Sequence, residues 1–177
     1  MMDDLAKFGD ARNISMTMPQ IQPASPTHTD SRPTLEQLAK ANINPNTGLA
    51  TDYLNHFNEA IMLLDLVATM PECLTDLMQW APMTYEQHFT GSCFKERELA
   101  IAAYQAADPA ARAELERLTG TMTEILLGTR DAMATQACEA ETASNAAAQL
   151  RELIARAGAV INGRPNYQVL FDTLFER

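Results

Sequence analysis

Three histidines and three cysteines are the side chains best suited to nucleophilic, proton-transfer or metal chemistry. His88 precedes Phe89-Thr90-Gly91-Ser92, and an imidazole beside a glycine on an exposed helix turn has the access a phosphoryl acceptor needs. His56 has Glu59 at i+3, within reach on a helix, so the pair could orient an imidazole for acid–base or acceptor chemistry. Each also has a plain structural role, which is the default: a boundary histidine bonded to a nearby acid for His56, a solvent-facing one for His88. His28 falls in a proline-punctuated segment with no partner in sight. Cys73, Cys93 and Cys138 are odd in number and widely spaced without a Cys-x-x-Cys, which points to reduced thiols rather than disulfides or zinc. Cys93 and His88 fall on differing helix faces. Glu86 and His88 are separated by roughly 200° in projection, so they cannot share a metal ion.

Histidine phosphotransfer domains are helical bundles whose reactive histidine is followed by a lysine–glycine pair, and the His88 segment is similar to that arrangement only in part. Gly91 supplies a glycine at +3, but no lysine adjoins it and Lys95 comes a turn later. Phosphoryl acceptance on His88, or after it on His56, is therefore the alternative function. No paired Glu-x-x-His, Gly-rich phosphate loop, nucleophile elbow or metalloprotease motif occurs. The expectation is a protein without a metal or cofactor, and not an enzyme.

The elements that must position these residues are helices throughout. Thr34-Leu35-Glu36-Gln37, Thr69-Met70-Pro71-Glu72 and Thr84-Tyr85-Glu86-Gln87 are capping-box patterns that open helices. Asn44-Pro45-Asn46-Thr47-Gly48 is a turn. From about Asp52 to Thr69, Tyr53, Leu54, Phe57, Ala60, Ile61, Leu64 and Ala68 share one apolar face, predicting the central core helix. Met62 and Leu66 interrupt its polar side, so contact with neighbours on two sides is expected. A helix after Glu72 ends near Trp80 before Pro82, and Gly91-Ser92 breaks the one that Thr84 opens. Trp80 at a helix end suits packing over the core margin, with a binding hot spot as the sharper alternative.

Asp108-Pro109 then caps a proline-free, alanine-rich run to Arg164. Leu115, Leu118, Met122 and Ile125 are spaced 3-4-3, and Leu150, Leu153, Ala157 and Val160 repeat the spacing. Between them the register holds small or polar residues, so a coiled-coil seam lapses half-way. Either one helix continues from 109 to about 160 with an exposed alanine-rich waist, or the chain turns near Gly128 or Ser144-Asn145. Continuity is the expectation. Asn162-Gly163 stops the run, and a final amphipathic helix should carry Phe171 and Phe175.

The predicted architecture is thus an all-α, irregular helical bundle. Residues 1–33 form a disordered tail, 34–108 a short-helix core, and 109–177 a long helix with a short amphipathic helix in the same domain. A formal net charge of −10 disfavours nucleic acid and anionic surfaces. No apolar run reaches the ~18 residues of a membrane span, and residues 1–30 lack a signal-peptide pattern, so a cytoplasmic location is expected. The leading function is a non-enzymatic interaction or regulatory protein acting through helix–helix contacts with a protein partner or as a homo-oligomer. Its candidate interface is Leu115, Leu118, Met122, Ile125, Leu150, Leu153, Val160, Phe171 and Phe175.

Overall fold

The computed structural model describes residues 33–67, 69–135 and 140–164. The expected N-terminal tail and the final helix with Phe171 and Phe175 lie outside these residues. Within them the fold is all-α: α1 (Leu35–Lys40), a 3-10 turn (Thr51–Leu54) running into α2 (Asn55–Val67), α3 (Cys73–Gln79), α4 (Tyr85–Gly91), α5 (Arg97–Ala106), α6 (Pro109–Ala134) and α7 (Ala140–Ile161). Two capping boxes form as the pattern predicts, each with a threonine accepting from the third helical N–H and a glutamine closing back, at Thr34 and at Thr84. Asp108 accepts from the Ala111 N–H with Pro109 in the first turn of α6. Thr69 does not cap. Its hydroxyl donates to the Leu66 carbonyl at the end of α2, and α3 begins only at Cys73, with no side-chain cap. The hydroxyl thus serves the helix that precedes it, and proline fixes a turn where the pattern suggested a helix start.

The alanine-rich run is helical, but it does not continue as one rod. It forms α6, 26 residues long, and α7, which packs along α6 and also against α2 and the 3-10 turn. Arg117 foremost, and Arg156 of α7 also, hold the Glu114 carboxyl of α6 below its ordinary range, so the start of α6 lies beside the end of α7. The pair is antiparallel. Leu115, Leu118, Met122 and Leu126 are buried along α6; Ala143, Ala147, Leu150, Leu153, Ala157 and Ile161 are buried along α7. Two corrections follow. The described waist positions are not exposed: Ala143 and Ala146 are buried and Thr129 and Ala132 partly buried, and the small side chains let α7 lie close to its neighbours. The buried α6 series passes through Leu126 rather than Ile125, the 3.6-residue period of a globular helix instead of a heptad.

Of the candidate interface, Leu115, Leu118, Met122, Leu150 and Leu153 are buried in the chain's own core, and Ile125 and Val160 are partly buried against the same cluster. Phe171 and Phe175 lie outside the described residues.

The end of α7 is closed by a Schellman motif: Gly163, at φ +65°, donates to Val160 and Arg164 donates to Ala159. The Thr47 hydroxyl adds a 2.6 Å bond to the Ile161 carbonyl, tying the 44–48 turn to the helix end. That turn needs its glycine twice over. Gly48 sits at φ +71°, and a Cβ there would lie 2.7 Å from the Ala103 carbonyl oxygen. In Gly128, mid-helix, a Cβ would meet nothing within 4 Å. Urea titrations should show Gly48→Ala losing more than ~2 kcal/mol through the left-handed backbone and the clash. Gly128→Ala should gain ~0.5–1 kcal/mol by helix propensity. Equal effects at the two positions would contradict this placement.

Candidate functional site

Two places bring polar and aromatic side chains together. The first joins the histidines. Asp52 enters through the 3-10 turn and His88 through α4; the His88 Nε2 donates to Asp52 Oδ2 at 3.2 Å, and Asn55 donates to Oδ1 at 3.1 Å. The carboxylate can only accept, so this bond assigns the His88 proton to Nε2. The His88 side chain is 13% exposed. His56, one turn into the same helical segment, is 7% exposed and stacked on Trp80, with ring centroids 4.8 Å apart and planes at 21°. The Trp80 indole N–H donates to the His56 carbonyl at 3.0 Å, so the tryptophan packs over the core margin, as the plainer of its two expected roles has it. His56 and His88 rings lie 6.3 Å apart, with Tyr53 beside His88 at 5.7 Å.

This geometry suits anchoring. Asp52 fixes the His88 ring through Nε2 and leaves the lone pair on Nδ1, while the His56 ring is enclosed. Glu59, the i+3 partner foreseen for His56, makes no hydrogen bond to it among the described residues; its charge only favours the protonated ring. No group of three or more His, Cys, Asp or Glu is arranged to hold a metal among the described residues.

His56 Nε2 is buried with no hydrogen-bond partner. Burial holds the His56 pKa below its ordinary 6.5, against the pull of the Ala81 carbonyl, and a protonated His88 adds to the depression. The unfolded chain then binds a proton in a window where the native chain does not, so stability rises with pH through that window and falls on acidification below about 6.5. His56→Phe keeps the stack on Trp80 and removes the titrating, unpaired nitrogen. Its urea midpoint should change little at pH 7.5 and fall less than that of the parent between pH 7 and 5.5. The same slope in both proteins would show that His56 does not govern this window.

The second place is a cleft of about 650 Å³ between the Pro82–Gln87 segment and one face of α6. Its floor is aromatic. Tyr85 and Tyr104 stack with centroids 4.3 Å apart, and Tyr53 meets Tyr85 edge-on at 5.2 Å. Each hydroxyl is placed. Tyr85 accepts from the buried Ala50 N–H, Tyr53 donates to the Met83 carbonyl, and Tyr104 donates to Glu116 Oε1 at 2.5 Å. Burial first, and the Glu116 carboxylate after it, push the Tyr104 pKa far up, so the phenol keeps its proton and remains a donor. The walls are Met83 and Pro82 on one side, and Glu116, Gly120 and Glu124 at i, i+4 and i+8 on the other.

The sequence marked Tyr53, Thr84, Tyr85, Gln87 and Leu115 only as core, capping or interface residues, and it did not mark Met83, Tyr104, Glu116, Gly120 or Glu124. One signal in it bears on the wall formed by Pro82–Gln87. Between Lys40 and Lys95 there is no lysine or arginine, whereas Asp52, Glu59, Asp65, Glu72, Asp76 and Glu86 are all acidic. The segment holding α2, α3 and α4 carries no cation of its own. On it Met62, Met70, Met78 and Met83 are exposed, Met62 to 53%. Met62 is thus half-exposed, while α2 itself packs against both α3 and α7. No family model, curated protein or solved structure matches the chain.

Proposed function

We propose that the chain is a non-enzymatic interaction protein that binds a protein partner through its helical surface. The observation carrying this is the set of exposed methionines on a surface segment without a cation. Flexible, polarisable methionine side chains are favoured where a surface must adapt to a partner. Large apolar side chains left in water cost about 0.8 kcal/mol per exposed methylene relative to burial, which a bound partner recovers. The net charge of −10 opposes association of like copies, which favours a heterologous partner over self-assembly. A regulatory role and a cytoplasmic setting are parts of the same reading. Among the described residues no helix is long and apolar enough to cross a membrane. The phosphorelay alternative needs His88 Nδ1 as the acceptor, because Nε2 is held by the Asp52 carboxylate.

Photo-methionine incorporated in the source cells and irradiated should give adducts through Met62, Met70, Met78 or Met83 to one recurring protein. Adducts spread over abundant proteins in proportion to their abundance would count against a specific partner. Incubation with phosphoramidate, which phosphorylates accessible imidazoles, separates the alternative: the proposal expects the acid-labile label to be unchanged in His88→Gln, and a label lost in that variant would restore group transfer.

A further inference from the structure

We infer that the cleft between Pro82–Gln87 and α6 is the docking site for a basic segment of the partner protein; this rests on the protein-binding reading above. Glu116 and Glu124 stand eight residues apart on one helix face, about 12 Å along the axis at ~1.5 Å per residue. Among the described residues neither is paired with a lysine or arginine, and no cation lines the cleft. Arg112 stands 5.6 Å from the Tyr104 ring centroid and makes no ion pair with Glu116, whose Oε1 is taken by the Tyr104 hydroxyl. Between the two carboxylates lies Gly120, exposed, where a Cβ would meet nothing within 4 Å. There an incoming chain can approach the α6 backbone more closely than any side chain would permit.

The opposite wall is apolar, with Met83 42% exposed beside Pro82. A lysine or arginine matches both halves, laying its aliphatic stem on Met83 and the tyrosine floor and its charged head between the carboxylates. The chain's own flanking sequences are poor occupants. Residues 1–32 set Lys7, Arg12 and Arg32 against Asp3, Asp4, Asp10 and Asp30, and residues 165–177 set Arg177 against Asp172 and Glu176. A second copy brings the same acidic surface.

The test is fluorescence anisotropy of the full chain with a labelled amphipathic peptide carrying leucines and lysines at i, i+4 spacing. A second peptide has glutamate in place of every lysine. Gly120→Leu places a side chain in the cleft without changing charge, at a position where a Cβ meets nothing within 4 Å; its melting curve checks the fold. Glu116→Gln with Glu124→Gln removes the two carboxylates, and Glu59→Gln with Asp76→Asn removes the same charge elsewhere. The lysine peptide should bind and the glutamate peptide should not. Gly120→Leu and the cleft pair should each weaken binding about tenfold or more, and the remote pair less than about twofold.

Equal losses from cleft and remote pairs, indifference to Gly120→Leu, or displacement of the peptide by spermidine at its own concentration would each overturn the inference. Failure of the lysine peptide to bind would overturn it as well. In all four cases the adducts at the exposed methionines are a separate observation: a recurring partner there keeps the protein-binding reading while the cleft assignment falls.

Discussion

The antiparallel packing of α6 on α7 is the contact on which the remaining helices depend. Helices of six or seven residues, such as α1, α3 and α4, are far below the length that is stable alone in water. Each persists by burying a residue or two: Leu38 in α1, Leu77 in α3, and Tyr85 with Phe89 in α4. Around the wall made by α2, α6 and α7, α3 packs on α2 and α6, and α4 on α5 and the 3-10 turn. That wall is built from fully buried Leu118, Met122, Leu126 and Leu150, each contributing up to ~1.5–3 kcal/mol by leaving water. Alanines 143, 146 and 147 permit the close approach that makes the burial complete. The Thr47–Ile161 bond and the Schellman motif then finish the far end of α7 without an open carbonyl left to the interior.

Because the long seams are buried inside the chain, the surface left for function is what the short helices and the outer face of α6 present. An aromatic junction of Tyr53, Tyr85, Tyr104, Phe57 and Phe89 joins the 3-10 turn, α4 and α5 to the edge of α6. On one side of it the Asp52–His88 bond and the His56–Trp80 stack lock the 3-10 turn, α2 and α4 into register. On the other side the same tyrosines form the floor of an acidic cleft. The histidines are tied into the scaffold, and the Glu116 and Glu124 carboxylates face outward.

Much of the fold was legible locally. The Thr34 and Thr84 boxes, the Asp108-Pro109 start, the Asn162-Gly163 stop and the buried face of α2 each depend on neighbours a few residues away, and all form. The Thr69 pattern failed because its hydroxyl had a competing acceptor on the preceding turn, which a spacing rule cannot weigh. The reversal between α6 and α7 was illegible for another reason: no proline or Asn-Gly pair marks it, and alanine favours a continuing helix. The seam that resembled a broken heptad was two globular faces meeting, visible only once α7 lies on α6. The cleft residues were scattered over four elements and the loop before α4, and no motif links Met83 to Glu124. Only the absence of cations between Lys40 and Lys95 was written in one place.

The central claim is that one chain satisfies both of its long apolar seams and leaves the short-helix surface free. A spin-label distance between Ala113→Cys and Ala155→Cys, both exposed, tests it in a background with Cys73, Cys93 and Cys138 changed to serine. Packed helices ~8–10 Å apart, with label tethers added, predict a distance of about 15–25 Å that survives dilution with unlabelled protein. A distance near 60 Å, as ~1.5 Å per residue along one rod requires, would contradict the account. So would a short distance that disappears on dilution, since the seams would then be closed by a second chain.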